Sequence, residues 1–128
     1  MRFAVDASAL LAVLLDEPDS DFFQSKLAGA SKSWISPVNW WEVQVRMQSK
    51  YGEAGVAAAS AWMEKIGLAI EPVTSAQAAI ALSAFALFKG KPARLNLGDC
   101  FAYALAADKD VPLLFKGADF VHTDIRPA

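Results

Sequence analysis

Short apolar runs alternate with amphipathic stretches from one end of the chain to the other. Arg2 to Val5 is a largely apolar run that stops at Asp6, and from Ala7 the segment ASALLAVLLDE places Leu10, Leu11, Leu14 and Leu15 on one helical stripe. This predicts a strand feeding directly into a helix. Pro18 breaks that helix, and DSDFFQSKLAG predicts a second short one ending at Gly29. Ser33 to Ser36 has strand composition. Pro37 then fits the first helical position with Ser36 as N-cap, which starts a helix reaching about Ser49. Gly52 and Gly55 predict a turn before a further helix, VAAASAWMEKI, closed by Gly67. LAIEPV reads as a strand. Thr74 and Gln77 have capping-box spacing at the mouth of an Ala-rich helix extending to about Phe88. Asn96 can cap a helix from Leu97 to about Asp108, and PLLF reads as the last strand. Strands alternating with helices predict an α/β domain with a mostly parallel sheet covered by helices on both faces.

Composition narrows the picture. At 128 residues, with 55% hydrophobic and 20% charged residues, the chain suits a single domain over residues 1–128 with a substantial core and no disordered segment. Cys100 is the only cysteine, so neither an internal disulfide nor a thiolate-pair metal site can form, and a reducing cytoplasm fits best. The apolar N-terminal stretch is interrupted by Asp6 and lacks a small-residue cleavage site, which argues against a signal peptide. No uncharged stretch has the length and apolarity of a membrane span. The net charge of −2 removes the broad basic face of most nucleic-acid binders, so any such activity requires a local positive source.

Ligands of open α/β sheets bind beyond the carboxyl ends of the strands, which directs attention to the acids just after each strand. Asp6 follows the first strand, Glu42 lies in the helix after the second, Asp99 opens the penultimate helix and Asp119 follows PLLF. Each has an ordinary alternative. Asp6 could cap its helix, Glu42 could pair with Arg46, Asp99 could be a first-turn acid and Asp119 a turn residue. Val38, Trp41, Glu42 and Val45 form one helical stripe, which predicts that Glu42 faces the sheet. Four carboxylates without histidine or cysteine companions make a hard, all-oxygen donor set suited to Mg²⁺ or Mn²⁺ rather than Zn²⁺. Such an ion supplies the positive charge that the composition lacks. Lys89, Lys91 and Arg94 of KGKPAR, with Lys116, are candidate contacts to flanking phosphates. The acids of DEPDSD read as a solvated turn. Trp40 and Trp41 cannot both enter one core, so one of them is expected at a subunit or partner interface.

FAVDASALLAVLLDEP, SPVNWWEV, LNLGDCFAYALA and LLFKGADFVHTDI, taken in this order, resemble the PIN-domain toxins of bacterial toxin-antitoxin modules, the VapC-like group. The resemblance covers essentially the whole chain. It implies a three-layer α/β/α sandwich and a Mg²⁺- or Mn²⁺-dependent endoribonuclease that is inhibited by a small cognate antitoxin and forms a homodimer. It implies catalytic roles for Asp6, Glu42, Asp99 and Asp119, with Asp6, Asp99 and Asp119 as metal ligands and Ser8 at the hydroxyl position beside the first acid. Thr123 and Asp124 become candidates for supporting the ligands, Asp124 competing with Asp119 to complete the metal site. Many relatives carry Asn where this chain has Ala118.

Other classes fit less well. A receiver-like phospho-acceptor needs adjacent acids after its first strand, where this chain has Asp6 then Ala7. A dehalogenase-type phosphatase needs a second Asp two residues on, where Ser8 stands. A catalytically silent PIN domain that only binds a partner is a further alternative, disfavoured by the intact set of acids.

Overall fold

Four short strands carry alternating side chains to two different helical layers. In the computed structural model, which describes residues 1–128, β1 (Arg2–Val5), β2 (Lys32–Ile35), β3 (Ala69–Ile70) and β4 (Leu113–Leu114) form one sheet in the order β3-β2-β1-β4. All three pairings are parallel, with Ala4 opposite both Trp34 and Leu113. Successive residues of a strand point to opposite faces. Phe3, Val5, Ile35 and Leu114 therefore enter one core under α1 (Ala7–Leu14), α2 (Ser20–Ala28) and α3 (Pro37–Ile66). Ala4, Trp34 and Leu113 enter a second core under α4 (Ser75–Phe88) and α5 (Leu97–Lys109). The result is the expected α/β/α sandwich. A short 3₁₀ turn, Asp119–His122, follows β4, and the chain's end bridges back alongside it, Pro127 pairing with Leu113.

Local chemistry explains most element boundaries. Ser36 accepts a hydrogen bond from the Val38 N–H with Pro37 in the first turn, Thr74 accepts one from Gln77, and Gly67 ends α3 in the left-handed region at φ 72°. The break predicted at Gly52 and Gly55 is present as a kink between two helices that together form α3, with Gly52 alone out of helical conformation at φ 67° and ψ −155°. Three expectations need correction. Gly55 instead sits in close packing, where an added Cβ would lie 2.7 Å from the Met47 carbonyl oxygen. The helical stripe facing the sheet is Asn39, Trp40, Val43 and Met47, whereas Trp41 is 62% exposed and Val45 also faces solvent. The polar Asn39 disguised this stripe, because a buried amide breaks the apolar pattern used to find it. Finally, β3 and β4 are only two residues each, since neighbouring strands rather than composition decide where pairing stops.

Candidate active site at the carboxyl edge of the sheet

Asp6 is both a helix cap and a buried acid. It leaves β1 only 6% exposed, and its Oδ2 accepts from the Ser8 backbone N–H at 3.0 Å and the Ser8 hydroxyl at 2.6 Å. The Ser8 Oγ in turn accepts from the Lys116 backbone N–H at 3.0 Å, tying the end of β1 to the segment after β4. The capping alternative is thus real, yet it coexists with a large perturbation. Burial pushes the Asp6 carboxyl from 3.8 up to about 6, against the lowering effect of the Ser8 bonds and with a further push from Glu42.

Glu42 reaches the same edge from α3. It is held by Asn39, whose Nδ2 donates to Glu42 Oε1 at 2.9 Å and to the Gly98 carbonyl of α5 at 2.9 Å. Asn39 is completely buried and joins the two helices. No salt bridge forms between Glu42 and Arg46, so the surface-pair alternative fails. Gly98 is required by this packing, because a Cβ there would lie 2.6 Å from Glu42 Cδ. Burial raises the Glu42 pKa, Asn39 lowers it, and the charge of Asp99 raises it further.

Asp99 belongs to a full capping box at the start of α5. Asn96 Oδ1 accepts from the Asp99 N–H at 2.9 Å, and Asp99 Oδ2 accepts from the Asn96 N–H at 3.0 Å. Despite that favourable bond, burial lifts its pKa from 3.8 to about 6, and the charges of Asp6 and Asp119 add to the rise. Asp119, exposed at the start of the 3₁₀ turn, is therefore within electrostatic reach of Asp99.

The four acids form one electrostatic group supplied by β1, α3, α5 and the segment after β4. None is paired with a lysine, arginine or histidine. Their side chains do not gather closely enough to form a ligand cage, since each of the first three is turned toward its own helix start. Uncompensated acids of this kind, with only oxygen donors, have the chemistry of a site for a hard divalent cation.

The other candidates are dispersed. Thr123 closes a turn, donating to the Phe120 carbonyl at 2.7 Å and accepting from Ile125. Asp124 is exposed and accepts from the Tyr103 hydroxyl at 2.6 Å, pushing the Tyr103 pKa up, after burial, to about 12. Lys89, Lys91 and Arg94 are exposed in and beside the α4–α5 loop, with Lys89 over the Phe85 ring. The Lys116 ammonium is already engaged by Glu17 at 2.9 Å and Asp19 at 3.1 Å. The DEPDSD acids are thus not merely a solvated turn. Asn39 and Gly98 were missed in the sequence, the first hidden among apolar neighbours and the second inside an ordinary capping sequence.

The PIN-domain family model matches residues 3–126. Over 127 residues, 97% of this chain and 96% of each relative, identity is 39% to the VapC ribonuclease Mb0625 of Mycobacterium bovis and to ribonuclease VapC28 of Mycobacterium tuberculosis. The chain belongs to the VapC family of PIN-domain proteins. The VapC fold is also evident in solved structures. VapBC2 from Rickettsia felis, bound to a promoter DNA fragment, superposes with a TM-score of 0.79 at 15% identity, covering 99% of this chain and 96% of that one. VapC20 of Mycobacterium tuberculosis, described as a toxin cleaving the sarcin-ricin loop, gives 0.77 at 18% identity, covering 98% and 99%. Membership in the VapC family removes the grounds for the receiver and phosphatase alternatives.

Proposed function

We propose that this chain is a Mg²⁺- or Mn²⁺-dependent endoribonuclease, the toxin of a toxin-antitoxin pair, working in the cytoplasm. The observation that carries the reading is the group of four mutually repelling acids at the carboxyl edge of the sheet, none of them neutralised by a protein cation. Its agreement with relatives named as VapC ribonucleases supports RNA as the substrate class.

Asp6, Asp99 and Asp119 would hold the ion, their carboxylates drawing together around it from the more open arrangement described above. An ion held there would supply acidification of water and counter-charge for the phosphate oxygens. The protein's own contribution is positioning. Ser8 fixes Asp6 through two hydrogen bonds, and the capping box fixes the start of α5 beneath Asp99. Asn39 aims Glu42 toward the same edge, where its raised pKa suits it to accept a proton from the attacking water.

A small antitoxin and a second copy of the chain are the proposed protein partners. Exposed Trp41 on α3 supports the first, and exposed Leu82, Phe85 and Leu97 beside the apolar cleft between α4 and α5 support the second. No helix is long and apolar enough to cross a membrane.

The decisive experiment incubates purified protein with single-stranded RNA in chelator and then with Mg²⁺, Mn²⁺ or Zn²⁺. Cleavage restored by Mg²⁺ or Mn²⁺, and lost in Asp6→Asn, is the expected result. Activity that persists in chelator, or that Zn²⁺ alone supports, overturns the metal assignment.

A further inference from the structure

A groove of about 390 Å³ lies between α1, α3 and the segment after β4. Ser8, whose hydroxyl holds Asp6, stands at its head. Leu11 and Leu15 of α1 provide an apolar wall, Arg46 of α3 and Lys116 provide its cations, and Glu17 lines it as an acid held by Lys116. The two cations differ in a decisive way. Lys116 is neutralised by Glu17 and Asp19, whereas Arg46 is exposed and has no carboxylate within salt-bridge distance. Glu42, one helical turn earlier, is turned toward Asn39 instead. An uncompensated guanidinium therefore faces a partly apolar groove, one helical turn from Glu42.

That combination selects a ligand with an anionic group joined to a flat apolar body. A guanidinium offers a planar fork of donors matched to phosphate oxygens, and an aliphatic wall accepts the face of a base. We infer that the groove holds the nucleotide adjoining the scissile phosphate in single-stranded RNA, with its phosphate on Arg46 and its base against Leu11 and Leu15. This inference rests on the nuclease reading above. A base within a duplex is stacked and paired, so the groove favours unpaired RNA at that position. In a chain of net charge −2, Arg46 provides a fixed counter-charge for RNA that does not depend on the catalytic ion.

The test compares the full-length wild type with Arg46→Gln and Arg46→Lys, using a fluorescent single-stranded RNA and a duplex of the same sequence. Binding is measured by anisotropy in chelator over a salt series, and cleavage is measured with Mg²⁺. Because Arg46 is exposed and unpaired, the melting temperatures should agree. Arg46→Gln should weaken binding and raise KM by about five- to ten-fold, with kcat nearly unchanged. It should also flatten the dependence of log affinity on log salt by about 0.7, the loss of one single-strand phosphate contact. Arg46→Lys should fall between. Unchanged KM and salt slope in Arg46→Gln, with an active wild type, overturn the groove assignment and leave the nuclease reading intact. Equal binding of duplex and single strand overturns the base contact. A variant that instead loses affinity only for an acidic peptide assigns the groove to a protein partner and overturns the proposal. A wild type that neither binds RNA in chelator nor cleaves it with Mg²⁺ removes both readings.

Discussion

Replacing Asp99 by Asn should make the metal-free protein more stable, although it deletes an acid from a helix start where acids are usually favourable. The folded-state pKa of Asp99 is about 6 and its ordinary value is 3.8. Above about pH 6 the folded protein holds a charge that the environment disfavours, and the penalty is fully present. As pH falls, the folded state takes up its proton before the unfolded chain does, so the penalty shrinks and disappears below about 3.8. The rise from 3.8 to about 6, at about 1.4 kcal/mol per tenfold change in proton affinity, sets a ceiling of about 3 kcal/mol. Partial exposure of Asp99 reduces that ceiling through solvent screening, and loss of the anion from the first turn of α5 costs about 0.5 to 1 kcal/mol. Asn retains an oxygen that can accept from the Asn96 N–H, so the capping box survives in part. The net gain should be about 1 kcal/mol at pH 7.5, or a few degrees of melting temperature. The assay is urea and thermal unfolding of both proteins in chelator at pH 7.5 and pH 4. Repeating it with Mg²⁺ should stabilise the wild type by mass action and the variant far less. A variant less stable than wild type at pH 7.5, or an advantage that grows on acidification, would refute the electrostatic account. A wild type indifferent to Mg²⁺ would refute the metal site.

Further expectations concern the residues that hold the acids. Asn39→Ala removes two buried hydrogen bonds and should cost about 2 kcal/mol or more in urea unfolding, with the Glu42 pKa rising in an NMR titration because its lowering partner is gone. Gly98→Ala should leave α5 helical by circular dichroism while lowering RNA cleavage at least about ten-fold, since the new methyl displaces the Glu42 carboxylate and a small misplacement at a reacting centre is costly. Ser8→Ala strips the hydroxyl bond from Asp6 and leaves the Lys116 N–H without its acceptor, so it should destabilise the fold by about 1 to 2 kcal/mol in chemical denaturation. Ser8→Thr, which keeps the hydroxyl, should lose less.

Features written in adjacent residues were legible in the sequence. Ser36 with Pro37, Asn96 before Leu97, and Gly67 after Ile66 announce helix ends because capping is settled within a few residues. The order of elements and the four acids followed from the same local patterns and from the family resemblance. What stayed hidden depends on partners distant along the chain. Lys116 reads as a free cation in the sequence, whereas Glu17, 99 residues away, and Asp19 engage its ammonium. Asn39 was not singled out, because its buried position depends on the Gly98 carbonyl of another helix. Gly52 announced a break and VAAASAWMEKI a further helix, yet only the structure shows that a single residue separates the two.

The Ser8 hydroxyl has a polarity that constrains its neighbour. Its oxygen already receives the Lys116 N–H, and its own hydrogen is directed at Asp6 Oδ2, which also takes the Ser8 N–H. Both of these donors converge on one oxygen of the carboxylate, so a proton arriving there would have to evict one of them. Oδ1 takes neither Ser8 donor, so it is the oxygen where a proton displaces neither of them as the solution is acidified toward pH 6. In the proposed metal site the same atom would be the donor to the cation. Proton and divalent ion would then compete for the same oxygen, and the hydroxyl two residues away steers both from the other one.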